Sequence, residues 1–351
     1  MKSGKVGASE LRKEGYSKLT GVAKYIDDIQ PADCLYGTTV RSHVARGIIK
    51  NIEFEEGIPW DEFVVVTAKD IPGANEVLLI NSDQPYLADT HVNHREEAIV
   101  LLAHPNKHLL EEARKKVKIE IEPLKAIFTI EESRAATTVI WGDDNHFKDY
   151  LVNKGDLDSV WDNADFIVEG EYETGAQEQL YIETNGMMAK ANTQEGVTIW
   201  GSMQCPYYVH KALRSLFDFP AHKIRIVQSE TGGGFGGKED YPSMIAGHAA
   251  LLAWKSGKTV KIIYDRAEDM AATTKRHPSW SRHKYALKKD GTLLGMELEF
   301  VIDGGAYTTV TPVVLSRGTI HATGVYKCDH IRIKDESVAT NSPPHGAFRG
   351  F

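Results

Sequence analysis

Apolar residues in the first third of the chain cluster in short runs, a pattern typical of buried strands. Such runs occupy 35–40, 63–67, 98–103 and 117–121, and the apolar spacing of 106–116 predicts a helix. Pro59, Pro72 and Pro85 separate the runs in the way that turns do. This part of the sequence therefore predicts a small domain that mixes strands with a helix.

The rest of the chain alternates strand-like and helix-like patterns. Strands are predicted at 166–172, 196–200, 223–227, 259–264 and 294–303, and helices at 207–217 and 243–255. Between the two parts lies a weakly periodic, partly acidic stretch, which predicts a linker at 124–149. The expected fold class is mixed α+β, with one domain at 17–123 and a second at 150–351.

Composition and charge narrow the classes of function. With 351 residues, 42% of them hydrophobic, the chain is long enough to bury two ordinary cores. A formal net charge of −8 argues against a nucleic-acid partner and against attraction to an anionic membrane. No apolar run approaches the roughly 20 residues needed to span a bilayer. Cys34, Cys205 and Cys328 are far apart, which favours reduced thiols in the cytoplasm and predicts no zinc or iron–sulfur cluster.

A glycine-rich run, Gly232 to Glu239 (GGGFGGKE), stands between a predicted strand and a predicted helix. Its backbone N–H groups and the helix N-terminus suit an anionic ligand such as a pyrophosphate. The run fits the dinucleotide-binding GxGxxG pattern, but no acidic residue about 20 positions further on would hold a ribose. It also fits the P-loop pattern as far as Lys238, after which Glu239 replaces the Ser or Thr that holds Mg²⁺. A turn that only lets a helix pack on a strand is the third interpretation.

A second unusual run closes the chain, Ser342 to Phe351 (SPPHGAFRGF). It places Arg349 between aromatic residues and glycines. The guanidinium group is planar and always charged, so it suits phosphate or oxo groups. Taken alone, the same residue is equally well explained as a structural arginine in a loop.

Together the two runs resemble those that line the molybdopterin site in the xanthine dehydrogenase and aldehyde oxidase family of molybdenum hydroxylases. Three further runs resemble the family in the same order along the chain: Gly21 to Asp28, Gln177 to Thr184 and Arg276 to Pro278. The resemblance implies that 17–123 form the family's α/β hammerhead domain and that 150–351 form the first, truncated part of its molybdopterin-binding domain. One departure is Arg95-Glu96-Glu97, where the family has a glutamine-bearing turn near the cofactor, and altered packing is expected there.

The resemblance also implies which residues meet the cofactor. The expected cofactor-binding positions are Gln204, Gly234, Phe235, Gly236, Ala347, Phe348 and Arg349. Of these, Gln204, Phe235 and Arg349 are expected close to molybdenum, which the pterin itself holds. The expected cofactor is molybdopterin, either as such or as its cytosine dinucleotide.

Three positions bear on the substrate by the same resemblance. Glu239 corresponds to an acidic residue that hydrogen-bonds a purine, Arg317 to a substrate-orienting arginine, and Phe351 to an aromatic residue that contacts the flat ring. A carboxylate and a guanidinium together can bind the donor and acceptor edges of a heterocycle, while an aromatic ring covers its face. An ordinary ion pair between Glu239 and Arg317 is the alternative.

The implied function is hydroxylation of a purine-type heterocycle with oxygen drawn from water. Family members supply the general base, a glutamate, from a segment beyond the final run, so the catalytic residue is expected past the C-terminal end of this chain. A [2Fe–2S] cluster and FAD are expected only on partner chains, together with the remaining half of the cofactor-binding subunit. A truncated polypeptide, a subunit split over two genes and a degenerate product all remain open. The isolated chain is expected to be inactive.

Other functions stay open beside this one. The same cofactor could serve an aldehyde or a nicotinate-like substrate. The chain could instead be a non-catalytic assembly module that binds no cofactor. Nucleotide binding through the glycine run is the remaining alternative.

Overall fold

A computed structural model describes residues 6–350 of the chain. Its strands, in chain order, are β1 Leu35–Arg41, β2 Gly47–Phe54, β3 Val64–Val66, β4 His91–Val92, β5 Ala98–His104, β6 Val117–Pro123, β7 His146–Lys154, β8 Phe166–Thr174, β9 Gly186–Asn192, β10 Gly196–Gly201, β11 Ile224–Gln228, β12 Val260–Ile263, β13 Ser279–Leu287, β14 Leu293–Asp303 and β15 His330–Val338.

The helices of the described residues are α1 Gly15–Leu19, α2 Lys107–Lys115, α3 Ile130–Arg134, α4 Pro206–Phe217, α5 Pro242–Ser256, α6 Arg266–Ala272 and α7 Thr311–His321. Within 6–350, no helix combines the length and the apolar character that crossing a membrane requires. The mixed α+β class predicted from the sequence is confirmed.

The strongest sequence patterns gave elements with nearly the right bounds. The strands predicted at 98–103 and 294–303 are confirmed as β5 and β14, and the helices predicted at 207–217 and 243–255 as α4 and α5, to within one residue at each end. The patterns missed β9, β13, β15 and α7, among others. In β15, Ile331 and Ile333 alternate with the charged Arg332 and Lys334, so no continuous apolar run marks the strand.

The larger sheet has seven strands in the order β11-β10-β9-β12-β1-β5-β3. The neighbours β1 and β12 join its two halves and run parallel, with Leu35 opposite Val260. These two strands come from opposite sides of the predicted linker. The two segments predicted as separate domains therefore contribute to one sheet, and a domain boundary between them stays a prediction.

Helix α5 lies at the centre of the core on this sheet. Its residues from Pro242 to Ala253 are all buried, and it packs against α4, β9 and β12. Gly247 allows a close approach, because a Cβ atom there would overlap the ring of Tyr86. A helix that is apolar on every side belongs inside a large core. Its buried position fixes the loop that precedes it, which is the glycine run.

Two smaller sheets complete the fold. One has five strands in the order β7-β15-β14-β13-β8, with α7 packed on β15 and β7. The other has three strands in the order β4-β2-β6. After β15 the chain passes beside the segment between α6 and β13, where His345 forms a bridge with Lys275 and the Gly346 N–H donates to the Lys275 carbonyl at 3.0 Å.

The stretch predicted as a linker, 124–149, contains α3 and the first residues of β7. The Ser133 hydroxyl donates to the carbonyl of Ala339 at 2.7 Å, and the indole N–H of Trp141 donates to the Asp83 carboxylate at 2.9 Å. The buried Asn145 has a φ of 65° and accepts a hydrogen bond from the backbone of the same stretch. The stretch is therefore a packed connection and not a free tether.

Candidate functional site

The two unusual runs meet in the folded chain. The backbone N–H of Arg349 donates to the carbonyl of Phe235 at 2.7 Å. Gly236 has a φ of 105°, and a Cβ atom there would overlap the carbonyl oxygen of Ala347. The side-chain amide of Gln179 donates to that same carbonyl at 2.9 Å. We call this contact between 232–239 and 346–349 the loop junction.

Gln204 ties a third segment to the loop junction. Its side-chain oxygen accepts hydrogen bonds from the backbone N–H groups of Gly236, at 2.9 Å, and Lys238, at 3.3 Å. Its own backbone N–H donates to the Lys238 carbonyl at 2.7 Å. Because the oxygen is occupied, the side-chain NH₂ group is the part of Gln204 left to donate, and within 6–350 it has no partner.

Lys238 holds the glycine run from inside the protein. Its side chain is fully buried, and its ammonium group lies 3.0 Å from both the Glu183 carboxylate and the Ser202 hydroxyl. The same carboxylate accepts a hydrogen bond from the backbone N–H of Gly232 at 2.7 Å. Burial lowers the pKa of Lys238, and the Glu183 charge opposes that shift. A lysine buried in this way cannot reach a bound phosphate, so the P-loop interpretation is wrong.

Arg349 and Glu239 pair at the surface of the junction. The Arg349 Nε donates to a Glu239 carboxylate oxygen at 3.0 Å, and Nη2 donates to the same oxygen. The arginine side chain is half exposed, whereas that of Glu239 is largely covered. The alternative in which Glu239 pairs with Arg317 is therefore wrong. The pairing leaves Nη1 of Arg349 available to donate.

The other predicted cofactor-binding residues lie within the junction. Gly234 is buried against Gln204, whose side-chain oxygen would lie 2.6 Å from a Cβ atom at this glycine. Phe235 is 57% exposed. Its φ of 51° is a costly backbone conformation for a residue with a side chain. Ala347 is buried, and Phe348 is half-buried with the Arg276 guanidinium 5.8 Å from its ring centre.

Arg317 lies on the exposed side of α7, and no contact within the described residues joins it to the loop junction. The start of α7 does reach the final run: the Thr309 hydroxyl donates to the His345 carbonyl at 2.6 Å. Close by, the Thr311 hydroxyl lies 2.8 Å from the His277 ring. Phe351 lies outside the described residues. The substrate roles of Arg317 and Phe351 stay predictions.

A buried polar layer beneath the junction escaped the sequence analysis. Asp240 is buried, and a Cβ atom at Gly346 would lie 2.7 Å from its carboxylate. Burial raises the pKa of Asp240 to about 7. The Asp303 carboxylate lies 3.8 Å from the His345 ring, and burial raises the pKa of Asp303 to about 6 and lowers that of His345 to about 3. The position of Asp240 next to the glycine run and of His345 within the final run was the available signal, but no pattern marked them as buried.

The turn at 95–97, where the chain departs from the family pattern, has its own packing. Glu96 has a φ of 69°. The buried Glu97 accepts hydrogen bonds from the Tyr307 hydroxyl and, at 2.6 Å, from the backbone N–H of Asn93. The side-chain amide of Asn341, one residue before the final run, donates to the Asn93 carbonyl at 2.7 Å. The turn is thereby connected to the final run.

Two donor groups of the loop junction have no partner within 6–350, the Gln204 NH₂ group and Nη1 of Arg349. One buried acceptor there, the side-chain oxygen of Gln179, has none either. A cation and an amide donor suit a ligand rich in phosphate and oxo oxygens. The residues present therefore fit a phosphate-bearing cofactor with an oxo-metal centre.

Two family models match the chain. Residues 20–125 match the a/b hammerhead domain of aldehyde oxidase and xanthine dehydrogenase. Residues 142–351 match the molybdopterin cofactor-binding domain.

Curated relatives match nearly the whole chain. It is 32% identical, over 99% of its length, to the nicotinate dehydrogenase large molybdopterin subunit of Eubacterium barkeri, of which it covers 81%. It is 34% identical, over 98% of its length, to a probable xanthine dehydrogenase subunit of Bacillus subtilis, of which it covers 46%. It is 29% identical, over 99% of its length, to aldehyde oxidase 2 of Rattus norvegicus, of which it covers 25%. The chain thus spans most of the first protein and less than half of the other two.

Solved structures share the architecture. The aldehyde oxidoreductase of Desulfovibrio gigas is similar with a TM-score of 0.89 over 97% of this chain and 39% of its own, at 26% identity. The quinoline 2-oxidoreductase of Pseudomonas putida 86 is similar with a TM-score of 0.88 over 98% of this chain and 46% of its own, at 26% identity.

Replacing Lys238 by Met is expected to lower the free energy of unfolding by about 3 kcal/mol, because the covered Glu183 carboxylate loses its counter-ion. Lys255→Met is the matched control, since the pair of Lys255 with Asp70 is partly exposed and contributes at most about 1 kcal/mol. Urea unfolding measures both. In the double variant Lys238→Met with Glu183→Gln, part of the loss should be recovered. If both single substitutions lowered the free energy of unfolding by the same small amount, a stabilising role of the buried Lys238–Glu183 pair would be contradicted.

The raised pKa of Asp240 predicts a pH dependence of stability. The folded protein keeps this proton at pH values where the unfolded chain, with an ordinary pKa of 3.8, has released it. That contribution is complete below about pH 4 and is lost as the pH rises to about 7. Asp240→Asn should remove the loss, so the variant should gain stability relative to the parent between pH 4 and 7, on the order of 3 kcal/mol. Urea unfolding at pH 4, 5.5 and 7 measures this difference in stability between the variant and the parent. A difference that is the same at all three pH values would refute the raised pKa of Asp240.

Proposed function

The chain belongs to the xanthine dehydrogenase and aldehyde oxidase family of molybdopterin-binding proteins, and we propose that it forms one wall of the cofactor site of a hydroxylase acting on a purine-type heterocycle. The observation that carries the proposal is the loop junction, in which the Arg349 N–H donates to the Phe235 carbonyl beside Gln204. A packing module without a ligand gives no reason for a strained, exposed Phe235 next to unpaired donors.

We propose that Gln204, Arg349 and the backbone of Phe235 and Gly236 bind molybdopterin, either as such or as its cytosine dinucleotide. Molybdopterin, when bound, supplies an acceptor for two electrons and the site at which water-derived oxygen enters the substrate. The chain's own contribution is positioning. The Gln204 oxygen is fixed by two backbone N–H groups, so its NH₂ group is held in a defined direction. Such preorganised donors stabilise charge without reorganising during the reaction.

For the substrate, we propose that the Glu239 carboxylate accepts a hydrogen bond from a ring N–H of the heterocycle. Its pairing with Arg349 fixes its direction. Arg317 would stabilise negative charge that develops on the ring, which requires its exposed side chain to reach over from α7. Phe351 would cover one face of the ring.

We propose that the working enzyme includes polypeptide from outside this chain. The chain spans less than half of two of the relatives, and a third, of which it spans 81%, carries the name of a large molybdopterin subunit. The outside part would provide the other wall of the cleft, the glutamate that acts as general base, and the [2Fe–2S] cluster and FAD that accept electrons. On this proposal the isolated chain is inactive. A cytoplasmic location also stays a prediction.

A nicotinate-like substrate is the second candidate. It is favoured by one specific observation, the similarity over most of its length to a nicotinate dehydrogenase subunit. Nicotinate carries a carboxylate, so a cation such as Arg317 would suit it and a carboxylate such as Glu239 would not. The two candidates therefore make opposite demands on Glu239.

Molybdenum content tests the cofactor site. In the complex purified with its natural partners, Gly236→Val is expected to remove most of the molybdenum, because the new side chain would overlap the Ala347 carbonyl. Gly291→Val is the matched control: it has a similar positive φ, but no atom lies within 4 Å of its Cβ position. Elemental analysis per protein measures both variants. Absence of molybdenum from the parent complex, or full content in Gly236→Val, would refute the proposal.

Substrate preference tests the role of Glu239. In the complete complex, Glu239→Gln is expected to lower kcat/KM for purines about 100-fold, the order lost with one preorganised group in a closed site. The rate for nicotinate should not fall. Glu195→Gln, an exposed residue far along the chain from the junction, is the control, and rates are divided by molybdenum content. Unchanged purine turnover would eliminate the purine assignment.

A further inference from the structure

Strand β8 forms an open edge of the five-stranded sheet. All nine of its residues pair with β13, without a bulge in that ladder, and no strand within 6–350 pairs with its other side. Eight of the nine residues are exposed. One row of backbone donors and acceptors therefore points away from the sheet, which is a template for a further strand.

The other edge of the same sheet is protected in ways that β8 is not. Strand β7 carries Lys148 and Lys154, and its ladder with β15 contains an irregularity between Ser337 and Val338. Lysines and bulges are the usual means of blocking an edge. Strand β8, with the sequence FIVEGEYET, has no lysine, arginine or proline.

One face of β8 is apolar and open. Phe166, Val168 and Tyr172 alternate along the strand and therefore share a face, and their exposed fractions are 54%, 52% and 62%. Tyr172 stands edge-on to His283 of the neighbouring strand, with ring centres 5.4 Å apart. The apolar face thus extends from the edge toward the interior of the sheet.

The opposite face of β8 carries Ile167 and the strand's three glutamates. Glu169 is neutralised by Lys284, 3.0 Å away. Arg282, which lies opposite Glu171 in the ladder, turns instead to Glu299 at 3.2 Å. Glu171 and Glu173 consequently have no ionic partner within the described residues.

We propose that β8 is an interaction surface that accepts one further strand from outside this chain, with Lys or Arg on one face and apolar side chains on the other. The backbone edge would supply the hydrogen bonds, Glu171 and Glu173 would pair with the basic residues, and Phe166, Val168 and Tyr172 would be covered by the apolar ones. The sequence pattern expected of the partner is alternation of basic and apolar residues over about six positions.

A second copy of this chain is the wrong occupant on charge grounds. Strand β8 contains three glutamates and no basic residue. Two copies paired edge to edge would therefore set carboxylates beside carboxylates, which destabilises a pair of strands. The proposal is independent of the cofactor, so its failure would leave the function proposed above untouched.

The test uses the chain alone and in complex with its natural partner polypeptides. Val168→Lys should weaken the complex at least tenfold, because it removes apolar contact and places a charge against the apolar side chains of the partner strand. Leu151→Lys on β7 is the matched control, with a similarly exposed leucine at the opposite edge, and should change the affinity less than twofold. The double variant Glu171→Gln with Glu173→Gln should weaken the complex several-fold at low salt and less at high salt.

Hydrogen–deuterium exchange gives a readout that does not depend on any variant. Amides of 166–174 should exchange more slowly in the complex than in the chain alone, while those of 146–154 should not change. Unchanged exchange in β8, or equal affinity for Val168→Lys and the parent, would overturn the proposal. A second copy of the chain is the occupant if the amides of β8 become more protected as the concentration of the chain alone rises, and more so in the double glutamine variant. That result would also overturn the proposal.

Discussion

The carboxylate of Glu183 is the group on which the candidate site depends. One of its oxygens accepts from the Gly232 backbone, the Lys238 ammonium group and the Ser202 hydroxyl. These bonds pin both ends of the glycine run to a buried point, so the residues between them have little freedom. The strained backbone of Phe235 can persist only because its flanks are fixed in this way. A loop held so firmly presents donors in set directions, which is what binding a charged cofactor requires.

The second requirement is that the final run reaches this loop. The five-stranded sheet carries the chain away from the glycine run, and the return after β15 rests on a layer of buried polar groups that includes Asp240, His345 and Asp303. Gly346 passes directly over Asp240, where no side chain would fit. Buried polar groups are costly unless hydrogen bonds satisfy them. Their presence under the junction fits a site in which position matters more than stability.

The sequence predicted the parts of the molecule in which one physical effect dominates. Strand β5 could be predicted because all of its residues are buried and 98–103 form a continuous apolar run. Helix α5 could be predicted because it is apolar on all sides. Strand β15 was missed because one of its faces is charged, and α7 because its apolar residues do not form a single stripe. The two runs of the site were found by their residue types. The spacing alone did not decide the role of Lys238, because the same spacing serves a phosphate-binding lysine and a buried structural one, and only burial distinguishes them. Likewise, Glu239 pairs with Arg349 and not with Arg317, a choice made by tertiary structure alone.

The central claim is that the glycine run and the final run bind one metal-bearing cofactor between them. The most direct measurement is X-ray diffraction from crystals of the native complex on both sides of the molybdenum absorption edge. The account predicts a single strong anomalous peak in this part of the complex, close to the Gln204 NH₂ group and the Arg349 guanidinium. A molybdenum peak located away from both runs, or fully ordered runs with no peak between them in a complex that contains molybdenum, would contradict it.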